Sequence, residues 1–138
     1  YTLNHPSVTE NGQGYLLEAD RIAWYFQHYF QHGEDRRGAS PLFMPVSNRL
    51  PETLMISAEY CPLRDEALAY VQRLNDTGVP CRHRHFDDMI HAYLNLESLA
   101  PDACAATYRE IAADLPDEGT VPALVNRDGN ARFVAIKL

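Results

Sequence analysis

The sequence predicts an α/β protein, and three observations carry that prediction. Thr53 to Ala58 is a near-continuous apolar run bounded by Pro51 and a polar turn. Such a run suits a strand buried on both faces of a parallel sheet. Asp65 to Asn75 places Ala67, Leu68, Val71 and Leu74 on one helical face, with Gly78 as its C-cap. Val79 to Phe86 alternates and fits the next strand. Strand, helix and strand within about 35 residues form a βαβ unit, whose crossover is normally right-handed.

The remaining elements can be taken in chain order. Residues 1–20 contain Pro6, Asn11-Gly12 and Gly14 and show no sustained period, so they read as loop. Ala19 to Phe30 reads as a helix, with Ile22, Ala23, Phe26, Tyr29 and Phe30 on one apolar face and Gly33 as its stop. Residues 33–50 are polar, carry two prolines and read as loop. Ser98 to Leu115 reads as a last helix with Pro101 near its first turn. Ala123-Leu124-Val125 and Phe133-Val134-Ala135-Ile136 flank an Asp128-Gly129 turn signal, which predicts a β-hairpin over 116–138.

Composition narrows the function classes. The 138 residues are 46% hydrophobic and 22% charged, ordinary values for a soluble single domain able to bury a core. Nineteen acidic against twelve basic residues give a net charge of −7. No basic cluster interleaves with aromatics, so nucleic acid is not an expected partner. No apolar run reaches the roughly 18 residues that span a bilayer. Cys61, Cys81 and Cys104 are odd in number and lack metal spacing, which suggests reduced thiols in a cytoplasmic setting.

The stretch Leu54 to Leu94 carries the most chemistry. Cys61-Pro62-Leu63-Arg64-Asp65-Glu66 precedes Met89-Ile90-His91-Ala92-Tyr93 by about thirty residues. Upstream stand Glu10-Asn11-Gly12-Gln13-Gly14-Tyr15-Leu16-Leu17, Trp24-Tyr25-Phe26 and Ala39-Ser40-Pro41-Leu42. In order and local sequence, residues 1–115 resemble the C-terminal half of an α/β-hydrolase of the hormone-sensitive-lipase-like esterase and lipase family. There the catalytic acid opens an Asp-Pro-Leu-Arg-Asp-Glu-type loop, and the catalytic histidine sits in a Gly-Met-Ile-His-Gly-Phe-type loop. The resemblance implies a three-layer fold of which this chain holds a partial parallel sheet flanked by helices, with 1–50 as cap-like and connecting segment. The hairpin over 116–138 is an addition to that pattern. The chain starts at Tyr1 without a methionine and reads as a piece of a longer or split protein.

The resemblance implies hydrolysis of carboxylic esters, with a serine nucleophile, a histidine base and an orienting carboxylate in that chain order. His91 matches the base, and the loop beyond a strand's C-terminal end is where open α/β sheets place their sites. A surface histidine without a role is the bland alternative. Cys61 stands at the acid position, where a neutral thiol cannot hold an imidazolium as a carboxylate does. Three readings compete: an impaired or dead esterase, a substitute acid supplied by Asp88 or Asp65, or a Cys61–His91 pair with chemistry of its own. Tyr15, Trp24, Ile90 and Tyr93 are the candidate substrate-lining residues. No Gly-x-Ser-x-Gly and no His-Gly-Gly loop occurs, so this chain alone is not expected to turn over an ester by the family's mechanism. A non-catalytic binding or assembly module is the alternative function.

No cofactor or metal is implied. His28 with His32, and His83 with His85, could each offer two zinc ligands, but a solvated helix face and a strand face under a helix are the plainer readings. The stripe Trp24, Tyr25, Phe26, Tyr29 reads first as packing. In the family's sheet another strand pairs with the Thr53–Ala58 strand on the side away from Val79–Phe86. That apolar edge is expected to recruit a second copy, a second chain carrying the missing half with its small ester substrate, or the added hairpin.

Overall fold

The computed structural model describes residues 2–114 and the short strand Phe133–Ile136. Its elements are helix α1 (Pro6–Asn11), α2 (Ala19–Tyr29), strand β1 (Thr53–Tyr60), α3 (Arg64–Asp76), β2 (Cys81–Ile90), a 3-10 turn (Tyr93–Leu96), α4 (Pro101–Asp114) and β3 (Phe133–Ile136).

β1 is the centre of the sheet. Its first six residues are buried, as a strand covered on both faces requires. β2 pairs with it in parallel from Thr53↔Cys81 through Ala58↔Phe86, and the order of the three strands is β2-β1-β3. Alternation along β1 assigns the faces. Leu54, Ile56 and Ala58 join Cys61, Phe86, Tyr93 and Cys104 in one core cluster, against which Ala103, Ala106 and Ile111 of α4 pack. Ser57 and Glu59 point the other way, toward His83 and His85 of β2 and Arg64 of α3.

α3 forms the crossover as expected. Asp65 and Glu66 in its first turn and Arg73 in its last complement the helix dipole. Its end is a left-handed glycine cap. Gly78 has φ +76°, and the Val79 N–H reaches back to the Leu74 carbonyl at 3.0 Å. Ala67 and Leu74 face the core, whereas Leu68, expected on the same face, is exposed. A short helix over a narrow sheet buries a thinner stripe than its apolar pattern offers.

Three other expectations need correction. Residues 1–20 are not all loop: Pro6–Asn11 is helical, with proline in its first turn, where the missing N–H costs nothing. The helix over Ala19–Tyr29 buries only Ile22 and Phe26. Of the aromatic stripe, Phe26 packs in the core as expected, whereas Trp24, Tyr25 and Tyr29 are exposed. They contact neighbouring rings on the surface instead, Trp24 lying 4.0 Å from the His28 ring centroid. The last helix begins at Pro101, after the separate 3-10 turn.

Of the predicted hairpin, the arm Phe133–Ile136 is a strand, and it runs parallel to β1, from Thr53↔Phe133 to Ile136 opposite Ile56. The arm at 123–125 and the turn between them lie outside the described residues. Among the described residues no helix is long and apolar enough to cross a membrane.

Candidate active site

The site is assembled where β1 and β2 end. β1 closes at Tyr60, and Cys61 follows in the turn leading to α3. β2 closes at Ile90, and His91 follows in its own turn. A register irregularity brings the two together. Between Ala58↔Phe86 and Tyr60↔Ile90, β2 advances four residues while β1 advances two. Such a bulge bends a strand and re-aims the residues beyond it. The His91 N–H then meets the Tyr60 carbonyl at 3.3 Å, and the Cys61 Sγ lies 3.3 Å from His91 Nδ1. Ala92, next in the chain, sits in the left-handed region at φ 60°, a conformation that strains a side chain bearing Cβ.

Cys61 is 2% exposed, and its sulfur also accepts the Leu63 N–H at 3.4 Å. None of the three cysteines is in a disulfide. Burial pushes the His91 pKa below the usual imidazole value, which favours the neutral ring. Which partner donates in the contact with Cys61 depends on the ring's tautomer. A thiol that donates S–H to Nδ1 leaves the proton on Nε2, the nitrogen that must be bare to accept a proton from a nucleophile. A carboxylate in place of the thiol would accept from Nδ1–H and free Nε2.

Neither of the other carboxylates meets the ring among the described residues. Asp65 Oδ2 accepts the Ser7 N–H at 2.8 Å and Asp65 Oδ1 accepts the Arg64 Nε–H at 2.9 Å. Burial alone would raise the Asp65 pKa, but its bonds to Arg64 and Ser7 and the charges of Arg64 and His5 outweigh it, and the net shift is downward. Asp88 is exposed on β2. Of the candidate substrate-lining residues, Tyr15 stacks on Tyr60 at 5.0 Å and 21°, at the end of β1 that carries Cys61. Ile90 is partly buried opposite Tyr60, and Trp24 is half exposed on α2. Tyr93 is a core residue, 1% exposed, packed on Phe86 with its hydroxyl bonded to Thr107.

Sequence reasoning missed a polar chain on the face opposite α4. Ser57 Oγ lies 2.8 Å from both His83 Nε2 and His85 Nδ1, and His85 Nε2 lies 3.0 Å from Glu59 Oε2. Arg64 donates to Glu59, Glu10 and Asp65. The signal was present as Ser57-x-Glu59 beside His83-x-His85, two alternating polar pairs that only the β1–β2 register aligns. Desolvation and the neighbouring His85 depress the His83 pKa. His28 and His32 do not share a helix face, since α2 ends at Tyr29. Among the described residues no three His, Cys, Asp or Glu side chains form a metal-holding group.

A parallel βαβ unit with helices on both faces, and a histidine turn meeting a second turn at the strands' C-terminal ends, matches the α/β-hydrolase architecture. The profile of the alpha/beta hydrolase fold matches residues 1–95. The chain is 34% identical over 100 residues to the ethyl acetate hydrolase of Pseudomonas putida, covering 71% of this chain and 31% of that protein. It is 32% identical to carboxylesterase NlhH of Mycobacterium tuberculosis, covering 80% of this chain and 36% of the relative. The solved structure of a thermostable esterase from Pseudomonas putida ECU1011 superposes with a TM-score of 0.71 at 30% identity, over 85% of this chain and 40% of that one. The chain therefore belongs to the α/β-hydrolase family, within its esterase and lipase branch, as a partial domain. It spans about a third of the length of the curated relatives it matches.

Proposed function

We propose that this chain is part of a carboxylic ester hydrolase, to which it contributes the histidine and the acid-position loop. The observation that carries the reading is the 3.3 Å contact between Cys61 Sγ and His91 Nδ1 at the joined ends of β1 and β2. In the tautomer that carries its proton on Nδ1 and turns it to the Cys61 sulfur, His91 would take the nucleophile's proton through the bare Nε2 and return it to the leaving alcohol. No Gly-x-Ser-x-Gly elbow occurs in the 138 residues, so the serine must come from elsewhere. The relatives' names support ester hydrolysis and leave the acyl and alcohol preference open.

One observation favours a second reading, a hydrolase-derived module that binds or assembles without turnover. The group that meets Nδ1 is a thiol, and among the described residues no carboxylate replaces it. Fluorophosphonate labelling read by intact mass, beside a short-chain p-nitrophenyl ester assay, separates the two. Label on a co-purifying serine-bearing chain, with turnover, supports the hydrolase reading. Absence of both label and turnover favours the module.

A further inference from the structure

α1 is six residues long, too short to persist by helix propensity alone. The only side chains it buries are Ser7 and Asn11, at 0% and 5% exposure, and both are polar. Its docking is therefore made of hydrogen bonds, and their partners all lie in the segment 59–65. Ser7 Oγ donates to the Pro62 carbonyl at 2.9 Å. The Ser7 N–H donates to Asp65 Oδ2 at 2.8 Å, and the Asp65 N–H returns to Ser7 Oγ at 3.2 Å. The Asn11 amide donates to the Glu59 carbonyl at 3.0 Å and, at a longer 3.5 Å, to that of Cys61. Glu10 of the same helix pairs with Arg64 at 2.6 Å.

From these contacts we infer that Ser7 and Asn11 are positioning residues that hold the Cys61 turn in place against His91. The turn's own bonds, Leu63 N–H to Cys61 Sγ and Arg64 N–H to the Cys61 carbonyl, close it locally and tie it to nothing beyond residue 64. On the β2 side the turn meets His91, through Cys61 Sγ and the Tyr60 carbonyl; on the opposite side it is held by α1, some fifty residues upstream. Buried donors aimed at the carbonyls of Glu59, Cys61 and Pro62 hold a turn in one place because any other position leaves them unpaired. The use of this clamp in catalysis rests on the ester-hydrolase reading, but the clamp itself does not.

The test exploits a second buried thiol. Cys104 is 0% exposed in the α4 side of the core, and α1 has no bond to it. Alkylation of the full chain by iodoacetamide, resolved by peptide mass spectrometry, reads local opening at Cys61 and Cys104 separately. Asn11→Ala is expected to speed alkylation of Cys61 about tenfold, the scale of one lost buried hydrogen bond, and to leave Cys104 unchanged. The His91 titration midpoint, read by NMR, should move up toward 6.5 as the turn loosens and water reaches the ring. Ser7→Ala should act alike and Ser7→Thr, which keeps the hydroxyl, should restore the slow rate. If Ser7→Ala does not fold, Asn11→Ala still decides. Equal acceleration at both thiols would mean general loosening, and no acceleration at Cys61 would mean an unclamped turn. Either result overturns the inference, whatever becomes of the esterase activity.

Discussion

Cys61 and Ala92 are two of the residues that set this site apart from the motifs it resembles, with Asp88 and Tyr93. Ala92 occupies φ 60°, ψ 25°, where Cβ crowds the backbone. Ala92→Gly should remove that strain at some cost in unfolded-chain entropy, leaving a net gain on the order of 0.5–1 kcal/mol in urea unfolding. An unchanged midpoint would show that the turn carries no such strain. Asp65 illustrates how sequence spacing misleads at this scale. It lies four residues after Cys61, near enough in the chain to substitute for it, but Ser7 and Arg64 engage both its oxygens. Only the long-range contact with α1 reveals that.

At the scale of elements, periodicity made β1, α3, β2 and α4 legible, because each buries a face that the sequence marks. α1 was not legible, since Pro6–Asn11 buries no apolar side chain and forms through its contacts with the turn at 59–65. The bulge near the end of β2 was equally hidden, because nothing in Asp87-Asp88-Met89 announces a register shift. α3 is the element whose integrity the site most needs, as its first turn continues from Cys61. Leu74, fully buried in its last turn, anchors it. Leu74→Ala should cost about 2–5 kcal/mol through lost burial and the cavity left behind. A loss under about 1 kcal/mol in chemical denaturation would place Leu74 outside the cooperative core.

The whole molecule should lose stability in acid in two windows. His91 and His83 have pKa values pushed below 6.5, chiefly by desolvation, with the neighbouring His85 adding to the shift at His83. The unfolded chain therefore binds protons more readily. Their contribution is complete above pH 6.5 and is lost as pH falls from there toward the folded values. Asp65 has its pKa lowered below 3.8 despite burial, so its contribution is present above that value and is lost further down. A thermal melting series from pH 7.5 to 3 should show the first fall below 6.5, and a flat profile between 7 and 5 would contradict the neutral, desolvated imidazoles. Among the described residues the sheet also keeps an uncovered edge. β3 covers β1 only from Thr53 to Ile56, and among the described residues no strand lies opposite its remainder on that side. An unpaired edge recruits other chains, so sedimentation should show mass increasing with concentration; a strictly monomeric profile would tell against association through this edge.

The family was legible from residues 54–94 because the local sequence of the two turns resembles the family's motifs, whereas the contact at the candidate site depends on two strands ending side by side. The most direct test of that contact is the titration of His91 by NMR in the unaltered chain and in Cys61→Asp. The account predicts a midpoint below 6.5 in the first, where a buried ring meets a thiol, and a midpoint well above it in the second, where a carboxylate would stabilise the imidazolium. Identical midpoints in the two proteins would mean that the side chain at position 61 does not act on His91, and the reading of Cys61 as occupant of the acid position would fall with it.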